Sequence, residues 1–167
     1  MMEIQRLNEQ DVERYLEVRL QSLQTNPEAF ASSYEEEKER PVELYQSRLN
    51  PQSPSITVGA VEDGQLVGIA TLVTETKQKL SHRANIVSTY VIPEKRGNNI
   101  GRKLIEQAIQ HAQRIQGIEQ IYLTVASENK AARQLYLSSG FEFFGTDKKA
   151  LKLEDHYIDI DHMVLYF

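Results

Sequence analysis

Residues 91–103 read Val91-Ile92-Pro93-Glu94-Lys95-Arg96-Gly97-Asn98-Asn99-Ile100-Gly101-Arg102-Lys103. The largely apolar run 86–92 stops at Pro93. Proline has no N–H to donate to a sheet ladder, so a strand ends there. A short loop with Gly97 and Gly101 follows. Apolar residues then recur at Ile100, Leu104, Ile105, Ala108, Ile109, Ala112 and Ile115. That spacing is the stripe of an amphipathic helix. The stretch is therefore a strand, a glycine loop and a helix N-terminus.

A helix N-terminus presents unpaired N–H groups and a partial positive charge. Glycines beside it let a ligand approach the backbone closely. The combination favours an anion. Lys95, Arg96, Arg102 and Lys103 crowd the same end. Cations in a first helical turn are disfavoured by roughly 0.3–1 kcal/mol each. A bound polyanion removes the conflict, and a solvated basic turn is the alternative.

Two phosphate loops are excluded by spacing. A Walker loop has four residues between its glycines and then Lys-Ser/Thr. Here Asn98, Asn99 and Ile100 separate Gly97 from Gly101, and Leu104 follows Lys103. The dinucleotide pattern Gly-x-Gly-x-x-Gly is absent as well. The stretch instead resembles the acetyl-CoA pyrophosphate loop of the GNAT superfamily of N-acetyltransferases. That pattern is Arg/Gln-x-x-Gly-x-Gly/Ala after a Val-x-Pro strand end. Val91-Ile92-Pro93 matches the strand end, and residues 96–101 match the loop, with Asn99 where the family usually has glycine. Asn accepts left-handed backbone angles better than most residues. A second resemblance follows in order. Asn129, Ala132, Leu135, Tyr136, Gly140 and Phe141 are similar to the family's Asn-x-x-Ala-x-x-Leu-Tyr and Gly-Phe segment.

At 167 residues the chain has the size of one domain, 1–167. It has no Cys, which excludes disulfides, thiolate metal sites and a cysteine nucleophile and fits a reducing cytoplasmic setting. The first residues show no signal-peptide pattern, and no apolar run is long enough to span a membrane. A net charge of −5, with a short basic patch lacking interleaved aromatics, argues against nucleic acid as a partner. His82, His111, His156 and His162 show no metal-ligand spacing.

Along the chain, residues 3–7 read as a first strand. Val12, Tyr15, Leu16, Leu20 and Leu23 form one helical face, ended by Asn26-Pro27. Residues 27–40 are irregular. Their Glu35-Glu36-Glu37 run is either a solvated acidic helix start or an acceptor wall that attracts a cationic amine. Residues 41–49 are a short helix with Pro41 in its first turn. Residues 55–61 and 66–73 are strands joined by an Asp63-Gly64 hairpin. Gly59 and Gly68 within them signal close packing or bulges. Residues 84–92 are the strand before the loop, and Gly117 ends the long helix. Residues 121–125 are a strand, residues 131–136 belong to a helix, and a strand begins at 141. Residues 147–154 are charged and read as a loop before a last strand, 157–167. The order is strand, two helices, three strands, helix, strand, helix, two strands. It matches the mixed α/β fold of the resembled family, a central, mostly antiparallel twisted sheet flanked by helices.

The resemblance implies an enzyme that moves an acetyl group from acetyl-CoA to a primary amine of a small molecule or peptide. It places Arg96, Gly97, Asn98, Asn99, Ile100, Gly101, Arg102 and Lys103 around the diphosphate. Backbone near Tyr90 and Val91 contacts the acetyl and pantetheine parts, where the strand splays from its neighbour. Asn129 contacts the pantetheine arm or caps its helix. Tyr136 is the candidate acid for the leaving thiolate, since a phenol near pKa 10 is protonated at neutral pH. The residues 86–92 contain no carboxylate, so the base stays unassigned among Glu35, Glu75 and a water chain, or the amine arrives already partly neutral. The rival reading is an acyl-CoA-binding or sensor module without turnover. Pairing of two copies through the C-terminal strands is common in similar proteins.

Overall fold

The computed structural model describes residues 1–167. Its elements in order are β1 (Met2–Arg6), α1 (Val12–Thr25), α2 (Tyr34–Lys38), α3 (Val42–Leu49), β2 (Ser55–Glu62), β3 (Gln65–Thr74) and β4 (Arg83–Val91), followed by α4 (Ile100–Arg114), β5 (Gln120–Ala126), α5 (Lys130–Ser138), β6 (Glu142–Leu153) and β7 (His156–Tyr166). The seven strands form one sheet in the order β1-β2-β3-β4-β5-β7-β6. Every neighbouring pair is antiparallel except β4 and β5.

Local chemistry explains several boundaries. Asn8 and Asp11 cap each other's backbone ahead of α1, the reciprocal arrangement that satisfies free N–H groups at a helix start. Asp63 and Gly64 both take positive φ, 51° and 80°, as the tight hairpin between β2 and β3 demands. Gly68 is needed for space. A Cβ there would stand 3.0 Å from Leu104 Cδ1 and 3.2 Å from the Tyr90 carbonyl oxygen. One step along, the β2–β3 register shifts between Ala60 and Val61, so both close packing and a bulge are present.

The helices lie on two faces. On one, Leu104, Ile105, Ala108 and Ala112 of α4 are sealed against the sheet. On the other, Tyr15 and Val18 of α1 and Tyr45 and Leu49 of α3 pack with Ile69 and Tyr90. A fully buried side chain of the Leu or Ile kind contributes on the order of 1.5–3 kcal/mol. The α4 stripe therefore fixes that helix, and with it the loop at its start. No helix is long and apolar enough to cross a membrane.

Three expectations are corrected. The charged stretch 147–154 is strand, not loop. β6 runs to Leu153, and only Glu154 and Asp155 turn the chain into β7. β6 is an edge strand exposed over most of its length, so it lacks the apolar alternation that marks a half-buried strand. Second, three helices precede β2 rather than two, because Ser33 and Glu36 form a capping box that starts α2. Third, the Glu35-Glu36-Glu37 run is not wholly solvated. Glu37 is 2% exposed and paired with Arg19. The buried face of α1 accordingly includes Arg19 and Ser22, while Leu20 is only half-buried.

Candidate active site

The site begins with a break in the sheet. β4 and β5 pair only from Arg83–Asn85 to Gln120–Tyr122. Beyond that point they diverge and leave a cleft of about 870 Å³. β4 is also bulged on its β3 side. Its register with β3 shifts between the Ile69–Tyr90 and Thr71–Val87 pairs, and Ser88 takes a φ of 55°. A bulge of this kind re-aims the backbone groups around it. Residues 86–91 line one wall of the cleft, and Leu123, Val125, Leu135 and Tyr136 line the other.

The loop closes one end. Gly97 (φ 85°) and Asn99 (φ 62°, ψ 16°) are both left-handed. Asn99 thus fills its position in the conformation its side chain tolerates. The first α-helical bond of α4 runs from the Lys103 N–H to the Asn99 carbonyl at 3.1 Å. The N–H groups of Ile100, Gly101 and Arg102 precede it and donate to no protein acceptor. Gly101 lies where α4 meets α5. A Cβ there would sit 3.4 Å from Leu135 Cδ2 and 3.9 Å from Val91 Cγ2, narrowing the passage beside those amides. Three free amides, two left-handed residues and an unobstructed backbone suit a diphosphate.

The basic residues divide their tasks. Lys95 is ion-paired with Glu62. Arg96 Nε donates to the Val91 carbonyl at 2.9 Å, its Nη2 donates to Asn26 Oδ1 at 2.7 Å, and its guanidinium lies 5.4 Å from the Tyr90 ring centre. Arg102 Nη2 donates to Ser138 Oγ at 2.9 Å, a neutral partner that leaves its charge unbalanced. Lys103 is exposed on α4 and does not line the cleft. Asn98 is also outside the lining, with Nδ2 donating to the Lys95 carbonyl at 3.1 Å. Tyr90, Val91, Arg96, Gly97, Asn99, Ile100, Gly101, Arg102, Asn129 and Tyr136 do share the one cleft.

Tyr136 is buried, with its ring edge-on to Phe141 at 6.1 Å between centres. Burial pushes its hydroxyl above the usual phenol range, and the neighbouring Thr89 side chain opposes that shift. The group therefore stays protonated at neutral pH and can donate. Thr89 follows the Ser88 bulge, so Tyr136 faces β4 just past its distortion. Tyr90 uses its hydroxyl elsewhere, sharing a 2.7 Å hydrogen bond with Thr25 Oγ1. Asn129 caps α5, its Oδ1 accepting from the Ala132 N–H at 3.1 Å. The side-chain oxygen thus serves the helix cap, one of the two uses that the resemblance implied.

Asp161 holds this wall in place. Its Oδ1 accepts from Ser127 Oγ at 2.6 Å and Thr146 Oγ1 at 2.8 Å, and its Oδ2 lies 2.9 Å from Arg133 Nε. The knot ties the β5–α5 turn to β6 and β7.

The cleft lining contains no Asp or Glu. Glu75 accepts from Asn85 Nδ2 at 3.0 Å and lies outside it. Glu35 lines a separate hollow of about 710 Å³ between residues 30–36 and the tip of the β6–β7 hairpin. Neither suggested base reaches the cleft wall. Sequence reasoning also missed Ser88, Thr89 and Arg19. Arg19 had one signal: it sits four residues after Tyr15, on the apolar face of α1.

Bulged and splayed strands, a loop with free helix-start amides and a buried tyrosine across the gap make up the candidate site. Residues 4–164 match the family model described as an acetyltransferase (GNAT) domain, and the chain belongs to that family. It is 30% identical over 125 residues to a spermidine N(1)-acetyltransferase of Vibrio cholerae, covering 74% of this chain and 69% of the relative. It is 27% identical over 120 residues to an L-amino acid N-acetyltransferase of Escherichia coli, covering 72% and 74%. A Salmonella typhimurium structure solved with its cofactor acetyl-CoA superposes with a TM-score of 0.83 at 20% identity, over 99% of this chain and 94% of that one, which is a likeness of fold.

Proposed function

We propose that the chain is an acetyl-CoA-dependent N-acetyltransferase that acts on a primary amine of a small molecule. The observation that carries this is the row of free N–H groups at Ile100, Gly101 and Arg102, placed at the mouth of the β4–β5 splay with Tyr136 across from it. Acetyl-CoA supplies the activated acyl group. The α4 amides and Arg102 hold the diphosphate. Backbone of residues 88–91, freed from β5, receives the pantetheine and acetyl parts, with Asn129 opposite.

In the reaction the amine nitrogen bonds to the carbonyl carbon and the carbon–sulfur bond breaks. Tyr136 gives its proton to the departing sulfur, the attacking amine releases one proton to solvent, and solvent returns one proton to the Tyr136 phenolate. Because no carboxylate lines the cleft, the amine enters neutral or gives up its proton to water. General-acid help of this kind is worth roughly 10²–10⁴ in rate.

The same lack of a carboxylate favours one rival, a module that binds acyl-CoA without turning it over. Release of free thiol from acetyl-CoA, assayed against polyamines, amino acids, aminoglycosides and peptide N-termini, separates them. Amine-dependent thiol release supports the enzyme. Binding of acetyl-CoA with no thiol release for any amine class refutes it. Spermidine is the acceptor named for one relative and L-amino acids for the other, and both remain in that panel.

A further inference from the structure

Successive side chains of a strand point to opposite faces of its sheet. At the splay, Ile86 of β4 and Leu123 and Val125 of β5 belong to the core beneath α4 and α5. Their neighbours in sequence, Val87 and Thr124, therefore stand on the other face, the one that carries α1. Val87 is 42% exposed, Thr124 is exposed, and both line the cleft. Phe30, Ala31 and Ser32, from the segment that follows α1, line it as well, and Phe30 packs on the core under that helix. The cleft thus opens on two sides. Tyr136 and the free amides of α4 belong to one, and an apolar patch of Phe30, Ala31 and Val87 belongs to the other.

The side with the apolar patch holds no group that can take a proton. Asp, Glu and His are all missing from the cleft lining. Arg19 is the charge that α1 contributes, and Glu37 matches it through bonds of 3.1 and 2.7 Å. Lys95, Arg96 and Arg102 belong to the loop end. His162 pairs in register with Thr124 from β7, yet it lies outside the lining, with its ring centre 5.8 Å from that of Phe144. The Tyr90 hydroxyl is engaged with Thr25. An amine entering here has to arrive without its proton.

Basicity decides which amines can do so. At pH 7 an alkylamine with a pKa of about 10.4 is neutral in roughly one molecule in 2,500, whereas an α-amino group at about 7.7–8.0 is neutral in roughly one in ten. The second offers a few hundred times more attacking species. We infer that the acceptor is a weakly basic amine on an apolar body, the α-amino group of an amino-acid amide or peptide that begins with an apolar residue, and that it enters neutral from the α1 face. This rests on the reading that the cleft acetylates an amine. Phe30, Ala31 and Val87 receive the apolar body, as the apolar part of a ligand pocket does, and the Ser32 and Thr124 hydroxyls offer neutral hydrogen bonds. The amine lone pair bonds to the carbonyl carbon and the carbon–sulfur bond breaks, with the sulfur taking the Tyr136 proton. The nitrogen sheds its surplus proton to water only after that bond has formed.

Thiol release from acetyl-CoA, followed with phenylalaninamide, phenethylamine, glycinamide and spermidine across about pH 6–9.5, tests this. At pH 7 kcat/KM for phenylalaninamide should exceed that for phenethylamine by at least about tenfold, since the greater nucleophilicity of the more basic amine offsets part of the difference in neutral fraction. The pH profile should follow the acceptor, levelling off above about pH 8 for phenylalaninamide and still climbing at about pH 9.5 for phenethylamine. The KM of glycinamide should be at least about tenfold higher than that of phenylalaninamide, because it has no ring to bury. Profiles that break at one shared pH for both aromatic amines reveal a protein base and overturn the inference. A kcat/KM at pH 7 that is equal or higher for phenethylamine or spermidine also overturns it, and leaves the acetyl-transfer reading intact. Equal KM values for glycinamide and phenylalaninamide overturn the apolar seat. A chain that binds acetyl-CoA but releases no thiol with any of the four amines sinks the enzymatic reading and this inference together.

Discussion

Arg96 Nη2 donates to Asn26 Oδ1 across 70 positions of sequence, at 2.7 Å. The glycine loop is thereby fastened to the C-terminal end of α1, the helix that also carries Arg19. The same guanidinium holds the Val91 carbonyl at the end of β4. Arg96 thus acts as a positioning residue that sets where the loop lies relative to β4 and α1. Arg96→Ala should cost on the order of 0.5–1.5 kcal/mol of stability in denaturant unfolding. It should also weaken acetyl-CoA binding measured by calorimetry. Unchanged values for both would show that the link holds nothing in place.

Tyr136→Phe keeps the ring against Phe141 and removes only the hydroxyl. Turnover should fall by roughly 10²-fold or more, while the affinity for acetyl-CoA stays within about twofold. Equal losses in the two would make Tyr136 a binding residue, and no loss of turnover would remove it as the acid.

Asn99 occupies left-handed backbone, so its replacement separates conformation from side-chain chemistry. Asn99→Gly should preserve coenzyme A affinity and melting temperature. Asn99→Val should lower stability by about 1–2 kcal/mol, since a β-branched residue resists this region. Thermal melts of the two variants check this. A Val variant as stable as the parent would contradict the conformation assigned to the loop.

Asp161 is 3% exposed. Burial alone would raise its carboxyl, but the Ser127 and Thr146 hydroxyls and the Arg133 and His162 charges outweigh that and hold it below the usual range. A carboxyl depressed on folding stabilises the protein fully above its unfolded pKa of about 3.9. That stability is lost as pH falls through the lower, folded value. Asp161→Asn should therefore lower stability at pH 7 and flatten its decline below about pH 4. Urea midpoints across pH 3–7 report both, and an unchanged acid slope would mean that another group governs it.

The parts written in local chemistry were legible in the sequence. Pro93, Gly97 and Asn99 each impose a backbone state within a few residues, so the loop and the start of α4 were readable. Asp63-Gly64 gave the hairpin for the same reason. Features made by distant partners were not. Ser88 has no residue-type signal for its positive φ, which arises where β4 changes register with β3. The Arg19–Glu37 pair joins residues 18 apart on two helices, so Glu37 read as one charge among three. Asn98 and Lys103 lie within the motif, yet sequence does not say which loop atoms face inward. The second half of β6, 147–153, was hidden because exposure on both faces erases alternation.

The most direct test of the account is calorimetric titration of the folded chain with acetyl-CoA, beside Gly101→Asp. The parent should show one saturable site. In the variant, a carboxylate set among the free amides of Ile100, Gly101 and Arg102 should abolish or greatly weaken it. No heat with the folded parent, or an affinity that Gly101→Asp leaves unchanged, would contradict the assignment of that loop to the diphosphate.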